Sequence, residues 1–175
     1  MKLTSLKGCR LTIGSYPSFS YNASDGGGQG TLISSQNNIF YLSFSSKQFY
    51  IPPLTYKNTK FLSIPLPPGL KIKMHMDKLE GTVDKSSGEV LFQLEARFIF
   101  SILTIIKFPY LLVKTTLSTE KIKGKSHAAK GLILQKNGKM QLVGISIIPP
   151  TGNKILDTFL GLPIEALAEL ECEIK

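Results

Sequence analysis

Residues 69–102 read GLKIKMHMDKLEGTVDKSSGEVLFQLEARFIFSI, and the alternation in this stretch decides the fold. Leu70, Ile72, Met74 and Met76 recur at every second position, with Lys71, Lys73, His75 and Asp77 between them. A period of two marks a strand with one face in the core. The phase slips near Lys78, as the extra residue of a β-bulge would cause, and Gly81-Thr82-Val83 resumes the strand. Asp84-Lys85-Ser86-Ser87-Gly88 has the composition of a hairpin loop. On the return, Val90, Phe92, Leu94, Ala96, Phe98 and Phe100 alternate with Glu89, Leu91, Gln93, Glu95, Arg97 and Ile99. Ordinary strands run about 5–6 residues. These two are much longer, and such lengths belong to barrels and strongly bent sheets.

Toward the C-terminus, residues 98–113 (FIFSILTIIKFPYLLV) are the most apolar stretch, interrupted by Lys107 and Pro109. The sequence predicts two buried strand ends joined by a turn at Lys107-Phe108-Pro109. The alternative is an apolar tip over 102–112 that offers Ile105, Ile106 and Phe108 to a bilayer or a partner. Leu111 to Leu117 reads as a strand. Over 121–134 the alternation returns, with Lys121, Lys123, Lys125 and His127 on one face and Ile122, Gly124, Ser126 and Ala128 on the other. Lys136-Asn137-Gly138 carries the Asn-Gly signature of a tight hairpin. Met140 to Ile148 is its partner strand, stopped by Pro149-Pro150-Thr151-Gly152. Asn153 can cap a short helix near 153–160, in which Ile155, Leu156, Phe159 and Leu160 fall at helical spacing. Ala166, Ala168, Leu170, Cys172 and Ile174 then alternate with Glu169, Glu171 and Glu173 as a closing strand, whose outer Glu ladder could meet the lysines of 121–125.

Toward the N-terminus, Ile39 to Phe44 is a strand. The prolines at 52, 53, 65, 67 and 68 mark a strap across the body with a short strand at 60–65, since proline cannot donate to a ladder. The first 30 residues are weakly patterned and end in Asp25-Gly26-Gly27-Gly28-Gln29-Gly30, which reads as a flexible turn. A phosphate loop would need Lys-Ser/Thr after the last glycine. The expectation is therefore one all-β domain over 1–175: an irregular segment at 1–30, then an antiparallel β-barrel, or a strongly bent sandwich, at 31–175. It would hold about 8–10 strands with one short helix.

Composition bounds the function. Apolar residues make up 42% and charged residues 19% of the 175, enough for a packed core. Lys and Arg number 21 against 12 Asp and Glu, for a net charge of +9, yet only Arg10 and Arg97 are arginines. Arginine is the residue of bidentate phosphate and guanine recognition, so no sequence-specific nucleic-acid partner is expected. A lysine field suits an anionic membrane surface or an acidic partner. Cys9 and Cys172 lack metal-ligand spacing, and a buried reduced Cys172 would suit a cytoplasmic or soluble organellar, reducing compartment. The N-terminus has no apolar run of signal-peptide length. His75 and His127 are the two histidines and fall on polar phases, so a surface position is expected for both. No nucleophile elbow, metal cluster or cofactor motif occurs, and neither a cofactor nor a metal is expected.

Three function classes follow. The leading one is a non-enzymatic barrel that holds an apolar small molecule or lipid, with Gly124, Ser126, Ala128, Phe98 and Phe100 as candidate ligand contacts. Small side chains facing large apolar ones would leave the space. The second is a membrane-peripheral or assembly protein using Lys71, Lys73, Lys121, Lys123 and Lys125 with the apolar tip. The third is a barrel enzyme without an identifiable reaction. A cavity of about 300 Å³ or more inside the sheet would favour the first.

Overall fold

The computed structural model describes residues 1–103 and 105–175, so Thr104, inside the expected 102–112 tip, lies outside the described residues. In chain order the strands are β1 (Lys2–Ser5), β2 (Lys7–Ile13), β3 (Phe19–Asn22), β4 (Gly27–Gln36), β5 (Ile39–Phe44), β6 (Thr59–Phe61), β7 (Ile64–Pro65) and β8 (Leu70–Asp84). They continue as β9 (Val90–Ile102), β10 (Ile106–Lys107), β11 (Leu111–Ser118), β12 (Lys121–Lys123), β13 (Ala128–Lys130) and β14 (Lys139–Ile148). The helix α1 (Lys154–Leu160) and β15 (Ile164–Ile174) complete the chain.

The 69–102 hairpin forms as its pattern requires. β8 and β9 pair antiparallel from Val83↔Val90 to Leu70↔Ile102, with a register shift between Met76 and Lys78 that leaves Asp77 as the extra residue. The Asp77 carboxylate, turned outward by that bulge, receives Nε and Nη2 of Arg97 at 2.8 and 2.6 Å. Asn153 caps α1 by accepting from the Leu156 N–H at 3.0 Å, and Gly161 ends it in the left-handed conformation.

Eight strands form a closed antiparallel ring in the order β1-β4-β5-β8-β9-β11-β14-β15, returning to β1. It is not a regular barrel, because β8 and β15 outreach their neighbours. The C-terminal end of β15 pairs with β1 (Leu3↔Ile174) and its N-terminal end pairs with β2 (Ala166↔Ile13). β5 covers only Glu80–Asp84 of β8. Beyond that point β2, β3, β6 and β7 continue the wall, and the proline strap closes it through a single bridge, Leu54↔Ile72. The antiparallel order puts the turns 37–38, 85–89 and 136–138 at one end, the closed end. The segments 14–18, 62–63, 105–110 and 149–163 lie at the other, the open end.

Three expectations are corrected. The first 30 residues are not irregular: they supply β1, β2, β3 and the start of β4, two of them ring strands. The glycine run is not a flexible turn. Gly27 sits at φ +132° against Leu3 and Thr4, where any Cβ would strike the β1 backbone, so it lets β4 cross β1 closely. The signal was invisible because these strands alternate poorly, and their glycines serve backbone contact instead. Second, the chain reverses before Lys107, with β10 returning on β9 (Ile106↔Ile102), and Pro109 interrupts the return before β11. Third, residues 121–134 are not one strand. β12 and β13 form a separate two-stranded sheet around residues 124–127.

Candidate functional site

The ring is packed at one end and hollow at the other. Toward the closed end, Leu42, Val83, Val90, Phe92, Leu142 and their neighbours fill the lumen, and Phe92 is 0% exposed, edge-on to Phe44 with ring centroids 5.7 Å apart. Above this floor lies a cavity of about 750 Å³. An apolar cavity of about 150 Å³ already binds benzene, and pockets for drug-sized ligands span about 300–1,000 Å³. Met74, Leu94, Phe98 and Phe100 face the lumen on the predicted phase, yet each is only half-buried because it borders this space. Leu11, Tyr21, Leu54, Val113, Ala168 and Leu170 line the other sides.

Among the described residues the wall holds no Asp, Glu, Lys, Arg or His. Its polar groups are few, and most are committed. The Thr115 hydroxyl donates to the Ile145 carbonyl at 2.7 Å, that of Ser146 to Lys114 at 2.9 Å, and that of Tyr16 to Phe159 at 2.6 Å. Cys9 and Cys172 are free thiols in the wall. Burial pushes the Cys9 thiol up to about 11, only partly offset by its contact with the Glu171 carbonyl, and burial also raises Cys172. Both are therefore protonated at neutral pH and weak nucleophiles. Burial likewise holds the Tyr21 phenol well above its ordinary range, so it is a neutral hydroxyl. Among the described residues, the Tyr21 and Ser5 hydroxyls of the wall enter no hydrogen bond within the protein, so they can donate to an acceptor in the cavity.

The sequence-predicted contacts divide. Phe98 and Phe100 line the cavity, and Phe108 lies at its border. Gly124, Ser126 and Ala128 lie outside it. The missing side chain of Gly124 makes room for a carboxylate instead, while Ser126 and Ala128 are exposed. The Glu165 side chain accepts the backbone N–H groups of Lys125, Ser126 and His127 at 2.6, 2.9 and 2.7 Å, and His127 Nδ1 lies 2.9 Å from it. A Cβ on Gly124 would collide with that carboxylate. Burial alone would raise Glu165, but the four donors reverse this and hold it down at about 2. His127 is not a surface residue: its side chain is 12% exposed, and Nε2 lies 2.9 Å from the Gly14 carbonyl. Each ring nitrogen thus lies against an oxygen, one of Glu165 and one of Gly14. The cluster pins the β12–β13 hairpin onto β15 and the end of β2. Sequence reasoning missed Glu165 because its partners are about forty residues away.

Of the predicted surface lysines, Lys73, Lys121, Lys123 and Lys125 are exposed and Lys71 is half-exposed. They fall on two separate elements: 121–125 belong to the β12–β13 hairpin, whereas Lys71 and Lys73 on β8 share a shallow groove with Lys107, His75, Ile99 and Ser101. No ion pair joins the lysines of 121–125 to Glu169, Glu171 or Glu173 among the described residues. Asp157, at the open end, serves its own loop by accepting from the Thr151 N–H and hydroxyl and the Gly152 N–H, and these bonds lower its pKa. Among the described residues no helix is long and apolar enough to cross a membrane. No protein-family model, curated protein or solved structure matches this chain.

Proposed function

We propose that this protein is a binding protein for a neutral apolar molecule, such as a lipid, pigment or isoprenoid, held in the upper half of the ring. The observation that carries the reading is the about 750 Å³ cavity with a wall free of charged side chains. Such a wall rewards apolar area at about 25 cal/mol per Å² and penalises any unpaired charge. A carboxylate or phosphate therefore stays outside, at the mouth, and a buried carbonyl or ether oxygen has Tyr21 or Ser5 as donor. The polarity of the ring supports the same reading: apolar side chains point inward, while the outer faces of β8 and β9 carry Lys73, His75, Asp77, Gln93 and Arg97.

The test is a fluorescence titration with an apolar, environment-sensitive probe such as an anilinonaphthalene dye, on the wild type and on Ala168→Phe. Ala168 is half-buried in the cavity wall, and a phenyl ring there occupies the empty space. Saturable binding that weakens about tenfold or more in the variant, with the fold intact by circular dichroism, is expected; this corresponds to about 1.4 kcal/mol. No saturable binding, or equal binding by both proteins, would contradict the reading.

A further inference from the structure

The mouth of the cavity has an unusual edge. Tyr16, Leu62, Ile64, Ile155 and Phe159 line the cavity and are also exposed to solvent, Phe159 by 68%. Beside them the β9–β10 turn carries Ile105, 83% exposed and no part of the cavity wall. A soluble surface rarely gathers so many large apolar side chains at one end without a function.

Two of these turns also hold leucines against their backbone preference. Leu62 and Ser63 connect β6 to β7 with φ of +52° and +65°, and Leu103 sits at +50°. Hairpin turns of this hand favour Asn and Gly, because a Cβ is disfavoured there. The fold tolerates a strained leucine at the tip, where a polar or Cβ-free residue would serve the backbone better.

Charge selects the occupant. The open-end segments 14–18, 62–63, 105–110 and 149–163 contain Lys107 and Lys154 against one acid, Asp157, whose oxygens already accept from Thr151 and Gly152. Behind the tip, Lys71 and Lys107 both sit opposite Ser101, and with Lys73 they border the outer groove of about 320 Å³. An apolar edge with lysines set back on its flank matches the depth profile of an anionic leaflet: acyl chains inward, phosphate groups just outside. We propose that the open end docks on anionic lipid bilayers, so that the cavity takes up and releases its ligand with the mouth in the membrane surface. This inference rests on the carrier reading for the ligand and on the edge itself for the docking.

The experiment has two arms with the full chain. Vesicle flotation compares phosphatidylcholine–phosphatidylserine vesicles with pure phosphatidylcholine, at about 0.1 M and 1 M salt, where the Debye length falls from about 10 to about 3 Å. Probe titration without vesicles reads the cavity alone. The wild type is expected on the anionic vesicles at low salt and off the neutral ones. Replacing Lys71, Lys73 and Lys107 by Gln should weaken docking about 100-fold, at about fivefold or about 1 kcal/mol each. Ile105→Asp should weaken it about tenfold or more and leave solution probe affinity unchanged. Leu62→Gly, which relieves the turn, should raise or hold the melting temperature while docking falls, and this separates docking from folding. Equal recovery on both vesicle types, or docking that survives Ile105→Asp, overturns the proposal. If no probe binds but anionic docking follows the predicted variants, the carrier reading and the loading role fail, whereas the membrane-facing edge stands.

Discussion

The two ends of this ring are built from the same alternating strands, yet they meet different things. On β8, Val83 and Met74 share one inward phase, but Val83 packs into the floor with Phe92 and Leu42 while Met74 faces open space. The turns differ in the same sense. Those of the closed end are polar, Asn37-Asn38, Lys85-Ser86-Ser87 and Lys136-Asn137-Gly138; those of the open end carry Tyr16, Leu62, Ile105 and Phe159. One end has the architecture of a folding core and the other that of a container. The lesson is that strand periodicity fixes which side chains point inward, whereas filling depends on what closes the wall opposite. At the closed end β1, β4 and β5 complete the ring; at the open end a proline strap and the β2–β3–β6–β7 wall take their place and border the cavity.

The largest effect should come from the element both ends share. β15 pairs with β14 along its length, with β1 at one end and β2 at the other. Deleting residues 166–175 is expected to abolish the cooperative thermal transition. A truncated protein that melts cooperatively near the wild-type temperature would show that closure is dispensable.

Next in size is a matched pair of truncations. Phe92→Ala opens a hole in a filled floor and should lower unfolding free energy by about 3–5 kcal/mol in urea denaturation. Phe98→Ala enlarges a space that already exists, so the cavity penalty is small and the loss should be nearer about 1–2 kcal/mol. Equal losses would erase the distinction between the ends.

A third, smaller effect lies at the Glu165 cluster. Its carboxyl is held at about 2 against an ordinary 4.5, so its stabilisation is fully present above pH 4.5 and is lost as pH falls toward 2. Glu165→Gln should be less stable than wild type at pH 7, with a difference that shrinks as pH falls through that window. Stability measured against pH in both proteins checks this, and a constant difference would contradict it. The smallest effect expected is at the helix cap: Asn153→Ala removes the bond to the Leu156 N–H and should cost about 1 kcal/mol in the same denaturation assay.

The fold was legible where a single strand carries a full alternation. The β8–β9 hairpin, its bulge near Lys78, the helix cap at Asn153 and the closing strand all follow from local pattern. β1 to β4 were not: within β4, Gly27 and Gly28 give up a side chain for close backbone approach, and Gly30 for a close approach to the Phe44 ring. The break at 124–127 was hidden for another reason: what ends the alternation there is a distant carboxylate. Of the candidate site, Phe98 and Phe100 were readable from their phase. Leu54, Val113 and Leu170 were not, since nothing local shows which walls face each other across a void. The exposed Leu62 and Ile155 were hidden too, because apolar residues near turns read as core when only one strand is in view.

Xenon binding compares the two ends most directly, because xenon enters dry apolar cavities and reports their position. In crystals pressurised with xenon, the account predicts anomalous peaks in the upper lumen, among Leu54, Phe98 and Leu170, and none below Phe92. An upper lumen without xenon, or peaks beneath Phe92 of equal strength, would contradict a ring that is packed at one end and hollow at the other.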